Sequence, residues 1–343
     1  MAANKPDPRR LISVQSHVVT GYVGNRSATF PLQLLGYETD TVNTTQLSNH
    51  TGYGRFGGMR LDAAHLQSVF EGMEKNGLLR YGRMLSGYTP SPTALSVVSD
   101  FVKKMRSYNP ELVYLLDPVM GDMGRGYYVD KECLPLYQEL MSSATIICPN
   151  QFEAQQLAGQ EITSLQTLKE VIEKLHALGT PNVIITSVVS LPPSDIEKIG
   201  AKVDGGMILV GSSADPSNPT HNQPWCIQFP ELEDYFVGVG DLFSALMLGF
   251  FRNEHMEPSL KSASGSAINT PLAVAAELAV AGVQGVLHRT LGFIEKEQIP
   301  DNYDQLDEVE KRVAKARRVE LRLVASRNEI EQPQIKFHAK PLP

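Results

Sequence analysis

Residues 236–251 read FVGVGDLFSALMLGFF: two glycines around a valine, an aspartate, then an apolar run long enough for a helix. Gly238 and Gly240 permit unusual dihedrals and close approach of a ligand, and the first turn of the following helix leaves backbone N–H groups free. Such a helix start attracts phosphate. The same residues also describe an Asp241 that merely caps the helix, and for a lone Gly-X-Gly-Asp the cap is the simpler reading. The rest of the chain has to discriminate.

Working outward, short runs rich in Val, Ile and Leu alternate with stretches that read as helices, the pattern of a parallel sheet covered by helices. How these runs end is more telling. LISVQS ends at Gln15 and Ser16, LVYLLDP at Asp117, ATIICPN at Asn150, and NVIITS at Thr186 and Ser187. In an open α/β sheet ligands sit outside the carboxyl ends of the strands, so four polar strand ends converge on one cleft. Helices are expected over 93–107 and 164–178, where Leu95, Val98, Phe101, Val102 and Met105, then Leu165, Leu168, Val171, Ile172 and Leu175, recur at helical spacing. A further helix over 304–318 turns Arg312, Lys315, Arg317 and Arg318 to solvent. Two stretches read as loops: 190–224, with a hairpin such as MILVGSS inside it, and 259–270, SLKSASGSAINT, a small polar insertion. Residues 1–9 read as a flexible N-terminus, and 1–343 as a single α/β domain.

Composition sets the class. With 42% hydrophobic and 20% charged residues the chain is expected to fold, and a net charge of −7 gives no drive toward nucleic acid or anionic membrane. Its partner is expected to be small. Cys133, Cys148 and Cys226 are an odd, widely spaced set, which indicates neither a disulfide framework nor a cysteine-rich zinc site. The N-terminal MAANKPDPRR is unlike a signal peptide, and no apolar run reads as transmembrane. A cytoplasmic location is expected, with the nucleus also open to the chain.

Several residues suit phosphate chemistry. DPVMGDMGRGYYV places Asp117 at a strand end and Asp122 in a glycine-containing loop; paired carboxylates suit hydrated magnesium, while turn formation serves Asp122 equally well. In CPNQFEA, Asn150 and Glu153 describe helix initiation after Pro149, and in company with Asp117 and Asp241 they also place Glu153 to hold a metal directly or through water. SVQSHVVTGYVGN and TTQLSNHTGYG supply Ser16, His17, Ser48, His50, Thr51 and Tyr53; such groups orient a planar polar heterocycle, with Tyr53 or Tyr88 packed against it, or simply make a polar loop. No HExxH, G-x-S-x-G or GxxxxGK[ST] occurs, so any phosphoryl transfer works without a P-loop lysine.

Taken in order, LISVQSHVVTGYVGNRSATFPLQLLGYETDTVNTTQLSNHTGYG, SGYTPSP, LLDPVMGD, CPNQFEAQQL, VIITS, FVGVGDLF and ELRLVASRNEIEQP resemble the pyridoxal kinases of the ribokinase-like superfamily over nearly the whole chain. The resemblance implies a three-layer fold with a mostly parallel central sheet flanked by helices. It implies transfer of the ATP γ-phosphoryl group to the 5′-hydroxyl of pyridoxal, pyridoxine or pyridoxamine, with Mg2+, a monovalent cation (K+ or Na+) and a homodimer. Asp241 would be the general base and the Gly238, Val239 and Gly240 backbone the anion hole. Ser16, Thr51, Tyr88 and Tyr128 would face the vitamin; Asp117, Asn150, Glu153, Thr186 and Ser187 would surround ATP and its metal; Asp122 and Cys148 would fall at the monovalent cation. Two positions depart from the family: Val239 stands where many relatives have threonine, and Cys148 where threonine often precedes Pro-Asn. A hydroxymethylpyrimidine kinase and a catalytically silent sensor of vitamin B6 or its phosphate are the alternatives.

Overall fold

The computed structural model describes residues 6–201, 206–214, 223–232, 234–253, 267–296 and 303–343. Its centre is a ten-stranded sheet in the order β12-β11-β10-β9-β8-β5-β4-β1-β2-β3. Strands β1 (Asp7–Val18), β2 (Glu38–Leu47), β4 (Tyr81–Ser86), β5 (Val113–Leu116), β8 (Ile146–Ile147) and β9 (Asn182–Val188) pair in parallel. The edges are antiparallel: β3 (Gly58–Arg60) on one side, and β10 (Gly206–Ser213), β11 (Trp225–Pro230) and β12 (Lys340–Pro341) on the other. A separate hairpin joins β6 (Gly121–Asp122) to β7 (Gly126–Tyr127).

Side chains on successive strand residues alternate between two cores, as a sheet covered on both faces requires. On one face Ile12, Met84, Tyr114, Ile147 and Ile185 pack under α2 (Ala63–Lys75), α3 (Pro92–Tyr108), α4 (Cys133–Met141), α5 (Gln151–Ala158) and α6 (Leu165–Ala177). On the other, Leu11, Leu85, Leu115, Ile146 and Ile184 meet α1 (Asn25–Leu34), α8 (Val239–Phe250) and the Pro271–Ile294 helix. The short α7 (Pro193–Lys198) lies between β9 and β10. Strand order reverses between β1 and β4, since the chain moves from β1 to β2 on one side and then returns to β4 on the other. That reversal opens a crevice at the carboxyl ends of β1 and β4.

Several expectations change. Of the terminus expected over 1–9, residues 1–5 lie outside the described residues, and Asp7–Arg9 begin β1, with the Asp7 N–H donating to the Arg80 carbonyl. LISVQS continues to Val18, and the register with β2 shifts between Gln15 and Ser16, a bulge that re-aims Ser16 at the strand end. Of the hairpin expected within 190–224, β10 lies inside that range but its partner β11 begins beyond it at Trp225, and Pro193–Lys198 is helical. Of the 259–270 insertion, residues 259–266 lie outside the described residues, and Thr270 caps the next helix by accepting from the Ala273 N–H. That helix, Pro271–Ile294, is long and apolar enough to cross a membrane, contrary to expectation; 78% of its most apolar window is buried against α8 and the sheet, as a core helix is.

Candidate active site

The glycines around Val239 do what the sequence left undecided. Gly238 has φ +84°, and a Cβ there would lie 1.9 Å from the Tyr22 carbonyl oxygen, so only glycine lets the two segments touch. The Gly238 carbonyl accepts from Ser27 Oγ at 3.0 Å and from the Leu242 N–H at 3.0 Å, which closes the first turn of α8. Gly238 is thus the cap, and Asp241, three residues on, is not. The N–H groups of Val239, Gly240 and Asp241 lie in the turn that has no intrahelical acceptor. Asp241 Oδ2 instead accepts from the Gly24 N–H at 2.8 Å, across to the start of α1.

Gly24 ties this carboxylate to the end of β1. Its φ is +51°, and a Cβ would lie 2.1 Å from the Ser16 carbonyl oxygen and 2.4 Å from Ser16 Oγ. Ser16 and Asp241 therefore lie on either side of one glycine. Asn25 fixes the same junction: its Nδ2 donates to the carbonyls of Gln15 and Val42 and to Asn43 Oδ1.

From the β5 end, Asp117 reaches the same helix. It is 6% exposed, and its Oδ2 accepts from Ser244 Oγ at 2.8 Å, one turn beyond Asp241 on α8. Burial and the charge of Asp241 push the Asp117 carboxyl well above the usual range, against the Ser244 hydrogen bond. Burial likewise raises Asp241, to about 6, opposed by the Gly24 N–H. Glu153 is also pushed up, first by burial and then by the charge of Asp117. Three carboxyl groups thus converge with no cation paired to them among the described residues.

The remaining expected residues divide into two groups. Asn150 and Glu153 form a complete capping box on α5, and Glu153 spends its oxygens on backbone donors: Met120 N–H at 2.8 Å on Oε1 and Asn150 N–H at 2.9 Å on Oε2. Asn150 Nδ2 donates to the Gly121 carbonyl and to Asp122 Oδ1, and Tyr128 donates its hydroxyl to Asp122 Oδ2. The Thr186 N–H donates to the Pro149 carbonyl, which sets the β9 end, including Ser187, beside Asn150. The Cys148 thiol, 3% exposed, faces Ser244 and Asp117 rather than Asp122, and burial holds it protonated. Among the described residues Asp122 accepts from Asn150 and Tyr128, while Cys148 meets Ser244, and no hydrogen bond joins Asp122 to Cys148.

Of the residues expected to face the vitamin, Thr51 is exposed in a 3-10 turn at Thr51–Tyr53, and Tyr88 is half-buried, its carbonyl accepting from Thr44 Oγ1 at 2.7 Å. Sequence reasoning missed the group that holds this side together. Glu320 accepts from Tyr53 Oη at 2.9 Å and the Tyr22 N–H at 3.1 Å, and lies 3.1 Å from His50 Nε2. It also missed Ser244, whose signal was a lone hydroxyl in an apolar helix, and the part played by Gly24. The helix Glu308–Arg318 is not simply solvated either: Arg312 Nε donates to the Gly52 carbonyl at 2.8 Å.

A metal fits the carboxyl cluster only in one manner. Among the described residues no three His, Cys, Asp or Glu side chains form a chelating group, and Glu153 is already engaged by backbone N–H groups. The donor set suits a cation that keeps most of its water and takes one or two carboxylates, as magnesium does.

The chain is similar to known kinases. The family model described as phosphomethylpyrimidine kinase matches residues 87–199. The chain is 38% identical to the pyridoxal kinase of Ovis aries over 96% of this chain and 97% of that one, and 37% identical to the pyridoxal kinase of Arabidopsis thaliana over 97% and 95%. Its fold superposes with a TM-score of 0.78 on a pyridoxal kinase from Leishmania donovani in complex with ADP and pyridoxamine, 28% identical, covering 98% of this chain and 100% of that one.

Proposed function

The chain belongs to the pyridoxal kinase family, and from that premise we propose how its own residues carry the reaction. It is an ATP-dependent kinase that phosphorylates B6 vitamers. The vitamer lies across the β1 and β4 ends, its heterocycle oriented by Ser16, Thr51 and Tyr88, with Tyr128 at the mouth. ATP lies over the β5, β8 and β9 ends against Asp117, Asn150, Thr186 and Ser187. As the substrate 5′-hydroxyl oxygen bonds to the γ-phosphorus, its proton passes to Asp241 and the bond to the ADP oxygen breaks. The N–H groups of Val239, Gly240 and Asp241 meet the negative charge that grows on the phosphoryl oxygens.

One observation carries this reading: a partly buried carboxylate, Asp241, held by the Gly24 N–H beside the open first turn of its own helix. A base and an anion hole are thereby built from one peptide segment. Mg2+ would be held by Asp117 and, through water, by Glu153, and would neutralise charge on the transferring phosphates. A monovalent cation would take the Asp122 carboxylate and backbone oxygens near Cys148, since a protonated buried thiol is a poor ligand for a hard cation. A homodimer in the cytoplasm completes the proposal. Formation of pyridoxal 5′-phosphate from pyridoxal and MgATP, with and without potassium, tests it. Product from the parent protein and almost none from Asp241→Asn is expected; a folded parent that binds pyridoxal and forms no product would overturn it.

A further inference from the structure

Away from the phosphate crevice, a cavity of about 1000 Å3 opens between the Val19–Tyr22 segment and the helix Glu308–Arg318. Asp117, Asn150, Glu153 and Asp241 do not line it. Its wall carries Arg26, Lys315, Arg317 and Arg318, with Arg322 beside them. Arg26, Lys315 and Arg317 have no carboxylate within ion-pairing distance among the described residues; Arg26 lies over the Tyr22 ring at 5.4 Å, and Arg318 donates only to the Ile294 carbonyl, at 3.1 Å. Of the two acids on the wall, Glu320 is already held by His50, Tyr53 and the Tyr22 N–H, and Asp234 forms no ion pair with these cations among the described residues.

Like charges gathered on one wall cost free energy, and here they gather in a chain whose net charge is −7. A surface that holds them together is completed by an anion. Guanidinium groups match phosphate oxygens in pairs, and the cavity has the size of a nucleotide or cofactor pocket. We propose that this cavity is a second binding site, for a small soluble molecule that bears one or more phosphate groups. Three of its cations sit within four residues of one helix, so the ligand docks its phosphates on the Lys315–Arg318 turn and rests its remainder against Tyr22 and Tyr53.

Calorimetric titration with inorganic pyrophosphate, metal-free and at constant ionic strength, tests the site on the parent and on Lys315→Ala/Arg317→Ala. Both residues are exposed and stand outside the catalytic machinery, so kinase activity without pyrophosphate is expected to be unchanged. Binding to the parent, weakened at least about tenfold in the double variant, supports the proposal. Equal isotherms for the two proteins would overturn it, because any binding would then belong to the catalytic crevice. Sedimentation with phosphoinositide vesicles in the absence of pyrophosphate binding would overturn it too, by assigning the cations to a membrane. Should the double variant lose helix content, Lys315→Gln carries the same comparison with one charge removed.

Discussion

The Gly24 N–H donates to Asp241 Oδ2 at 2.8 Å, so the start of α1 orients the carboxylate that begins α8. Asp241→Asn keeps a group able to accept that bond and removes the proton acceptor. We expect kcat to fall by about 10²–10⁴-fold, with pyridoxal affinity nearly unchanged. Steady-state kinetics with a direct binding titration of pyridoxal check both halves.

The glycine itself is the second test. Gly24→Ala places a methyl group 2.1 Å from the Ser16 carbonyl in a backbone conformation that alanine rarely adopts. Destabilisation of about 1–3 kcal/mol is expected, together with a loss of activity larger than instability explains. Chemical denaturation, compared with turnover at a temperature where both proteins are folded, separates the two effects.

How much of this was legible depends on the distance between partners. The apolar runs and their polar ends were readable because a strand covered on both faces writes its burial directly into consecutive residues, as Leu11 and Ile12 do. Whether Asp241 caps α8 was not, because Gly238 takes the cap only by packing on Tyr22, 216 positions earlier. Glu320 was hidden for the same reason, since its partners Tyr22, His50 and Tyr53 lie at the other end of the chain. Helical spacing likewise put Arg312 on a solvated face of 304–318, but did not show that the helix starts at Glu308 or that Arg312 holds the Gly52 carbonyl. Asn150 and Glu153 show the reverse case: local spacing read both the capping box and a metal role, and the box is what the side chains make.

Carboxyl crowding has a consequence for stability. Asp241, raised to about 6, is disfavoured as an ion in the folded state relative to the unfolded chain. The folded protein therefore binds more protons between about pH 4 and 6, and loses stability as pH rises through that window. At pH 8 without metal, Asp241→Asn is expected to be more stable than the parent by on the order of 1–3 kcal/mol. Below pH 4 both states of the parent are protonated and the difference vanishes. Thermal melts of the two proteins at pH 8 and at pH 4 give the comparison; a gap that widens toward acid would contradict it.

The loop of the β6–β7 hairpin touches the segment that leads into α8, beside the site proposed for the phosphates. Arg125 lies 4.2 Å from the Tyr235 ring centroid and donates to its hydroxyl at 2.8 Å. Both side chains are partly exposed, so the contact is worth little to global stability. Its expected effect is on nucleotide retention: Arg125→Ala raises the KM for ATP about two- to tenfold, with Tm within about 1 °C of the parent.

Glu320 gathers the two segments on which the proposal seats the vitamin, and its loss is expected to be felt there. Burial works against its charge, but hydrogen bonds from His50, Tyr53 and the Tyr22 N–H outweigh that and hold the carboxyl below the usual range. Glu320→Gln keeps the shape while presenting an N–H2 group to donors that need an acceptor. We expect a stability loss of about 1–3 kcal/mol. Because Tyr22 leads to Gly24, and Tyr53 lies two residues from Thr51, the KM for pyridoxal should rise more than the KM for ATP. A merely structural role would lower the amount of active enzyme and leave both constants unchanged. Initial rates with each substrate varied in turn decide between these outcomes, and an unaltered ratio of the two constants would assign Glu320 to the scaffold alone.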